Sequence, residues 1–404
     1  MKCGLLGRKL GHSYSPEIHR YMGSYSYHLF EVEPEDLERF IREEEFDGLN
    51  VTMPYKKAVI PYLDDLTPIA KQIGAVNTIY RKDGKLVGHN TDLYGFQQML
   101  AKSGLSPKGK KCLVLGSGGA SDVAVAALRE QGANVVVISR SGKDNYDNLH
   151  LHKDVSIIVN ATPVGMYPHC GESPLDLALF PQLEGVLDVI YNPARTQLLM
   201  EAQARNLVTE NGLWMLVCQA QEASEKMTGI PVSNDQAKFI YHHLQRKMEN
   251  IVLIGMPGCG KSTIGKALAE RTGKRFVDTD AYIQEIAGKS IPEIFAEEGE
   301  EVFRDYETAA IKMLGQESGL IVATGGGCVT KERNYPLLHQ NATIVWICRP
   351  LDQLSTDGRP LSLKTPLYEM YTRRKPLYES FADIHIDNSA AVESTLNAIL
   401  EKFL

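Results

Sequence analysis

The chain has 404 residues, 43% hydrophobic and 23% charged, enough for two to three domains that each bury a full core. A net charge of −7 without any long basic block argues against nucleic acid as a partner, and leaves open small anions held by a few arginines. Seven scattered cysteines with no CxxC pair, no apolar run in "MKCGLLGRKLGHS" and no apolar window near ~20 residues predict a cytoplasmic chain with free thiols, no zinc site and no membrane span.

Taken in chain order, residues 1–100 alternate strand signals ("CGLLG", "GLNVTMP", "AVNTIYRKDGKLVGHN") with helical stretches ("SPEIHRYM", "EDLERFIREE"). The Asp-Gly of "RKDGKL" predicts a β-hairpin. Residues 101–212 open on "KKCLVLGSGGAS", an apolar strand entering a glycine turn, then a helix "DVAVAALREQG" and a second strand "NVVVISR". Two helices follow in 213–248, "LWMLVCQAQEASEKMTG" and "SNDQAKFIYHHLQRKM". The second leaves only two or three residues of linker before "NIVLIGMPGCGKST", the strand, glycine turn and helix that begin residues 249–404. Strand–helix–strand order predicts parallel α/β sheets in both glycine-turn regions.

The first turn, Gly116-Ser117-Gly118-Gly119-Ala120-Ser121, is a relative of GxGxxG in the strand-to-helix setting that a dinucleotide pyrophosphate needs. At the tip of the next strand stand Ser139, Arg140 and Ser141, with Lys143 close by. A basic, hydroxyl-rich tip suits a 2′-phosphate, so NADP is expected rather than NAD. The second turn fits GxxxxGK[ST], with Gly255, Gly258, Cys259, Gly260, Lys261 and Ser262. Its backbone amides would converge on phosphate, Lys261 would add charge, the Ser262 hydroxyl would reach Mg²⁺, and the helix starting at Thr263 would add its dipole.

After the second turn come "FVDTD", "EVFRDYE", "LIVATGGGCV", "GRPL" and "YTRRKPLY", in that order. Over about residues 250–390 the chain resembles shikimate kinase. The resemblance implies that Asp278 holds the metal with Ser262 and that Asp280 receives the proton of the attacking hydroxyl. It further implies that Arg304, Gly326 and Arg374 bind the substrate, its carboxylate gripped by the two arginine forks, while Arg359 closes from a lid. Two departures stand out: the region of Leu354, Ser355 and Thr356 lacks the family's adenine-stacking arginine, and "IDNSAAVEST" lacks its C-terminal one.

The first half carries "GHSYSPEIH", "NVTMPYK", "GAVNT", "HNTD", "NATPVGM" and "NGLWMLVCQA". From residue 1 to about 245 it resembles shikimate dehydrogenase. That implies Lys56 and Asp92 as the catalytic pair, Ser13, Ser15, Thr52, Asn77, Tyr191 and Gln219 around the substrate, and Asn160, Thr162 and Gly212 at the nicotinamide end. His12 and His19 match no metal spacing and are expected to be turn packing and a helix residue.

The expectation is therefore an α/β chain with a substrate domain (1–100, with helices 213–248 packing back), a Rossmann-type NADP domain (101–212) and a P-loop, nucleoside-monophosphate-kinase-like parallel α/β domain (249–404). The resemblances imply reduction of 3-dehydroshikimate by NADPH and phosphorylation of shikimate by ATP with Mg²⁺. The alternative is a chain in which one half is catalytically degenerate and senses shikimate or nucleotide. Small-molecule substrates are the expected partners, and oligomeric state is not legible.

Overall fold

The computed structural model describes residues 1–11, 13–354 and 366–403. His12, Ser355, Thr356 and Arg359 lie outside the described residues. The chain forms two compact units. One comprises Met1–Gly165, Glu172–Tyr191 and Leu198–Leu244; the other comprises Met166–Gly171, Asn192–Gln197 and Gln245–Leu404.

The first unit holds two sheets. The first contains β1 (Lys2–Gly7), β2 (Ser26–Glu31), β3 (Gly48–Val51), β4 (Asp65–Leu66), β5 (Thr78–Lys82) and β6 (Lys85–His89), in the order β2-β1-β3-β5-β6-β4. β1 lies parallel to β2 and β3, whereas β5 runs antiparallel to β3 and β6. The β5–β6 hairpin turns on Asp83 and Gly84 with φ of 51° and 77°, the paired left-handed residues of a two-residue turn. The helix Leu213–Thr228 packs on the helix Asp92–Ser103 and against β3 and β5, its Ala223 and Met227 meeting Cys3.

The second sheet contains β7 (Lys111–Leu115), β8 (Asn134–Ile138), β9 (Ile157–Asn160), β10 (Gly185–Asp188) and β11 (Val208–Asn211), all parallel, in the order β11-β10-β9-β7-β8. β9 and β10 are buried along their whole lengths, as expected of strands covered on both faces.

The second unit is built on β12 (Asn250–Ile254), β13 (Arg275–Asp278), β14 (Leu320–Ala323), β15 (Ala342–Cys348) and β16 (Ile384–Asp387), all parallel, in the order β13-β14-β12-β15-β16. Its core gathers Ile251, Leu253, Ile264, Ile321, Val345 and Tyr378. The stretch Asn192–Gln197 belongs to this unit through Arg195, whose Nη1 donates to the carbonyls of His339 and Ala342 at 2.9 and 3.1 Å. No helix among the described residues is long and apolar enough to cross a membrane.

Candidate active sites

In the first unit, β3 runs out into the one-turn helix Tyr55–Ala58, which carries Lys56. β6 leads to Asp92, the first residue of the helix Asp92–Ser103, where the positive end of the helix dipole favours a carboxylate. Lys56 Nζ donates to Asp92 Oδ2 at 2.6 Å. Both side chains stay partly exposed, at 30% and 15%, so a substrate can reach them.

This pair lines a cavity of about 310 Å³ with Ser13, Ser15, Thr52, Asn77, Tyr191, Gly212 and Gln219, all residues expected from the sequence. A buried network holds the floor. Asn77 Nδ2 donates to Thr91 Oγ1 at 3.0 Å, Thr91 N donates to Asn77 Oδ1 at 2.7 Å, and Asn50 Nδ2 donates to Thr78 Oγ1 at 3.3 Å. Asn50 also lines the cavity, a residue that sequence reasoning missed although it sits in "GLNVT" one strand turn before Thr52. Burial, reinforced by Tyr14, holds the Tyr191 phenol above its usual range, so it stays a proton donor. His19 is buried and stacked on Tyr27, and burial pushes its pKa down to about 3, consistent with a neutral packing residue.

The glycine turn lies at the end of β7. Gly116 has φ +109° and its N–H donates to Ile138 O at 2.8 Å, which sets the turn beside the tip of β8. Gly118 and Gly119 face open space where a Cβ would stand, and the helix Gly119–Glu130 begins without a side-chain cap, leaving a cradle for a pyrophosphate. Ser117 is exposed, and Ala120 reaches the wall of the substrate cavity. Ser121 instead braces the turn, its hydroxyl donating to Gly116 O at 2.7 Å. Arg140 and Ser141 are exposed at the β8 tip, and Ser139 is tied to Asp144 through its backbone. The structure does not bring Asn160 to the cavity: fully buried, it donates to Asp188 Oδ1 at 3.1 Å and accepts from Thr162 Oγ1 at 2.7 Å, fixing the loop after β9.

In the second unit a cavity of about 590 Å³ opens at the carboxyl ends of the strands, the usual ligand position in such sheets. Gly258 and Gly260 take φ of +85° and +99°, a region that residues with a Cβ rarely enter. Gly258, Gly260, Ser262 and Thr263 line the cavity, while Cys259 is fully buried, with its carbonyl accepting from Asn388 Nδ2 at 2.7 Å. The helix begins at Lys261, two residues before the expected start. Lys261 Nζ donates to Gly255 O and Met256 O, both at 2.9 Å. Ser262 Oγ donates to Asp278 Oδ2 at 2.6 Å. Two hard oxygen donors so close on the wall suit Mg²⁺, which takes few protein oxygens and keeps several waters.

Arg304, Gly326 and Arg374 gather at the other end. A Cβ at Gly327 would stand 2.4 Å from Arg304 Nη1, so glycine is required for the guanidinium to come close. Gly326 O accepts from Arg374 Nη1 at 3.1 Å. Asp280 is the second residue of the helix Thr279–Ala287, and its carboxylate lies against Gly325. Among the charged lining residues, two escaped the sequence reading, Glu307 and Arg349. Glu307 Oε2 accepts from Arg304 Nη1 at 2.9 Å, while its Oε1 and Arg374 Nε are buried without hydrogen-bond partners. Burial raises the Glu307 pKa to about 7 against the pull of Arg304. The site thus pairs a phosphate loop and metal donors with two buried guanidinium groups able to fork onto a carboxylate.

The family profile described as shikimate dehydrogenase substrate binding domain matches residues 5–79, and the one described as shikimate kinase matches residues 257–404. A shikimate dehydrogenase (NADP(+)) of Clostridium beijerinckii is 36% identical over 260 residues, covering 59% of this chain and 96% of that protein. A solved chorismate mutase/shikimate 5-dehydrogenase fusion protein from Clostridium acetobutylicum is 36% identical with a TM-score of 0.58, over 61% of this chain and 97% of that one. Shikimate 5-dehydrogenase from Thermus thermophilus, solved in complex with NADP(H) and shikimate, is 33% identical with a TM-score of 0.54, over 60% of this chain and 99% of that one.

Proposed function

We infer, for a chain that belongs to the shikimate dehydrogenase family and carries a shikimate kinase domain behind it, a bifunctional enzyme. Residues 1–100 with 213–248 form the substrate domain, 101–212 the NADP domain and 249–404 the kinase. The first activity reduces 3-dehydroshikimate to shikimate, and the second phosphorylates shikimate. NADPH supplies the hydride of the first, and ATP with Mg²⁺ supplies the phosphoryl group and charge neutralisation of the second.

The observation that carries this reading is the presence of two complete reactive sets, each in its own cavity. In the dehydrogenase, Lys56 gives a proton and a positive charge to the oxygen that becomes the hydroxyl, and Asp92, 2.6 Å away, orients the ammonium. Ser13, Ser15 and Tyr191 hold the carboxylate side, and Thr52, Asn77 and Gln219 the ring hydroxyls. Gly116–Ser121 cradle the pyrophosphate, while Ser139, Arg140 and Ser141 select the 2′-phosphate.

In the kinase, Ser262 and Asp278 hold Mg²⁺, Lys261 and the loop amides bind phosphate, Arg304 and Arg374 grip the substrate carboxylate, and Asp280 takes the hydroxyl proton. The sensor alternative finds no support in this geometry. Purified protein should oxidise NADPH on addition of 3-dehydroshikimate and form ADP on addition of shikimate. Lack of either turnover would overturn the bifunctional reading.

A further inference from the structure

β12 and β15 are parallel neighbours in register, with Ile254 opposite Trp346. Both strands then run out toward the same cavity, β12 into the phosphate loop at Pro257 and β15 into Arg349, and both of these residues line it. The two backbones touch there, since a Cβ on Gly255 would stand 2.5 Å from Ile347 O.

Among the described residues, no hydrogen bond or ion pair anchors the Arg349 guanidinium, whose Nε is buried without a partner. The other arginines of the cavity are held in place: Arg304 is paired with Glu300 and Glu307, and Arg374, although its Nε is likewise buried without a partner, is bonded through Nη1 to Gly326 O. Asp387 borders an adjoining hollow of about 210 Å³ with Arg349, yet its oxygens accept from the backbone N–H and the hydroxyl of Ser389. A half-desolvated guanidinium without an anion is costly, and a ligand anion would repair it. Arg304 and Arg374 already flank the glycine run, where the carboxylate is placed. Arg349 stands instead beside the first residues of the phosphate loop, where Lys261 offers a point charge and no fork.

We propose that Arg349 is a phosphate-binding residue of the kinase site, gripping the γ-phosphoryl group from beside the loop. The inference rests on the kinase reading above. As the substrate hydroxyl oxygen bonds to phosphorus, the bond to the ADP oxygen breaks, ADP keeps the electron pair and Asp280 takes the proton. Arg349 steadies the oxygens of the group in passage.

The test compares Arg349→Gln and Arg349→Lys with the parent, using Mg²⁺-ATP, Mg²⁺-ADP and shikimate, with melting temperature and ADP binding as checks on folding. Arg349→Gln should lower kcat on the order of 10²-fold, while the shikimate KM and ADP affinity shift by less than about twofold. ATP affinity should fall selectively, and Arg349→Lys should recover part of kcat. An Arg349→Gln enzyme with the parent's kcat would overturn the inference alone. So would an equal loss of ATP and ADP binding in both variants, or a raised shikimate KM at unchanged kcat. A parent that transfers no phosphate would overturn the kinase reading together with it.

Discussion

Glu307 shows how one buried carboxyl can tune a binding site. It is fully buried, faces Arg304 from its own helix, and meets Asp280 and Arg374 from two others. When ionised it cancels much of the Arg304 charge; when protonated it leaves that charge to the substrate. Its pKa is raised to about 7, chiefly by burial, with Asp280 adding to the rise and Arg304 and Arg374 opposing it. Shikimate should therefore bind the kinase site several-fold more tightly at about pH 6 than at about pH 8. Glu307→Gln should flatten that dependence, as read by equilibrium titration of the Lys56→Ala enzyme, in which the other pocket has lost its catalytic lysine.

The sign carries over to stability. A carboxyl raised on folding favours the native state fully below its unfolded pKa, and that favour is lost as pH rises through about 7. Chemical denaturation should show Glu307→Gln losing less stability than the parent across that window. Glu307 was legible in principle, since "FRDYE" places it three residues after Arg304, on the same helix face. Lys261 and Ser262 were read directly because one strand–turn–helix unit sets their spacing, whereas Asp278, at the end of β13, came through the resemblance. Arg349 carried no such signal: only the register of β12 against β15 brings it to the loop.

At the scale of elements, the chemistry sits where strands end in glycine turns. Gly212 closes β11 before the helix Leu213–Thr228, and a Cβ there would stand 2.0 Å from Val189 O. Gly212→Ala should cost about 1–3 kcal/mol of unfolding free energy in the first unit and slow NADPH oxidation, because the displaced helix carries Gln219. Kinase turnover should be unaffected. Arg140, exposed at the β8 tip, should set the choice of cofactor: Arg140→Ala should raise the KM for NADPH about tenfold or more and leave that for NADH nearly unchanged.

These units were legible because buried parallel strands read as continuous apolar runs and their helices end at glycine. The edge strand β2 was not, since "SYHLFE" exposes residues on both faces and shows no period-two alternation. Nor was the helix Tyr55–Ala58, which at one turn is too short for a helical period.

Across the whole molecule, each half's composition and motif order disclosed its class, but not every boundary of the compact units. Met166–Gly171 and Asn192–Gln197 precede β12 by many residues and still belong to the second unit, through contacts such as Ala194 N donating to Asn341 Oδ1 at 2.8 Å. No local pattern announces such a long-range bond. Only Glu249 stands between the helix Asn234–Met248 and β12, a linker shorter than the two or three residues expected from the sequence.

The central claim is that one polypeptide houses two independent chemistries, and it is tested most directly by assaying both reactions on the parent, Lys56→Ala and Lys261→Ala. Lys56→Ala should lose more than about 10²-fold of NADPH-dependent reduction and keep phosphoryl transfer within about twofold; Lys261→Ala should show the reverse. A folded variant in which either substitution removes both turnovers would contradict the account.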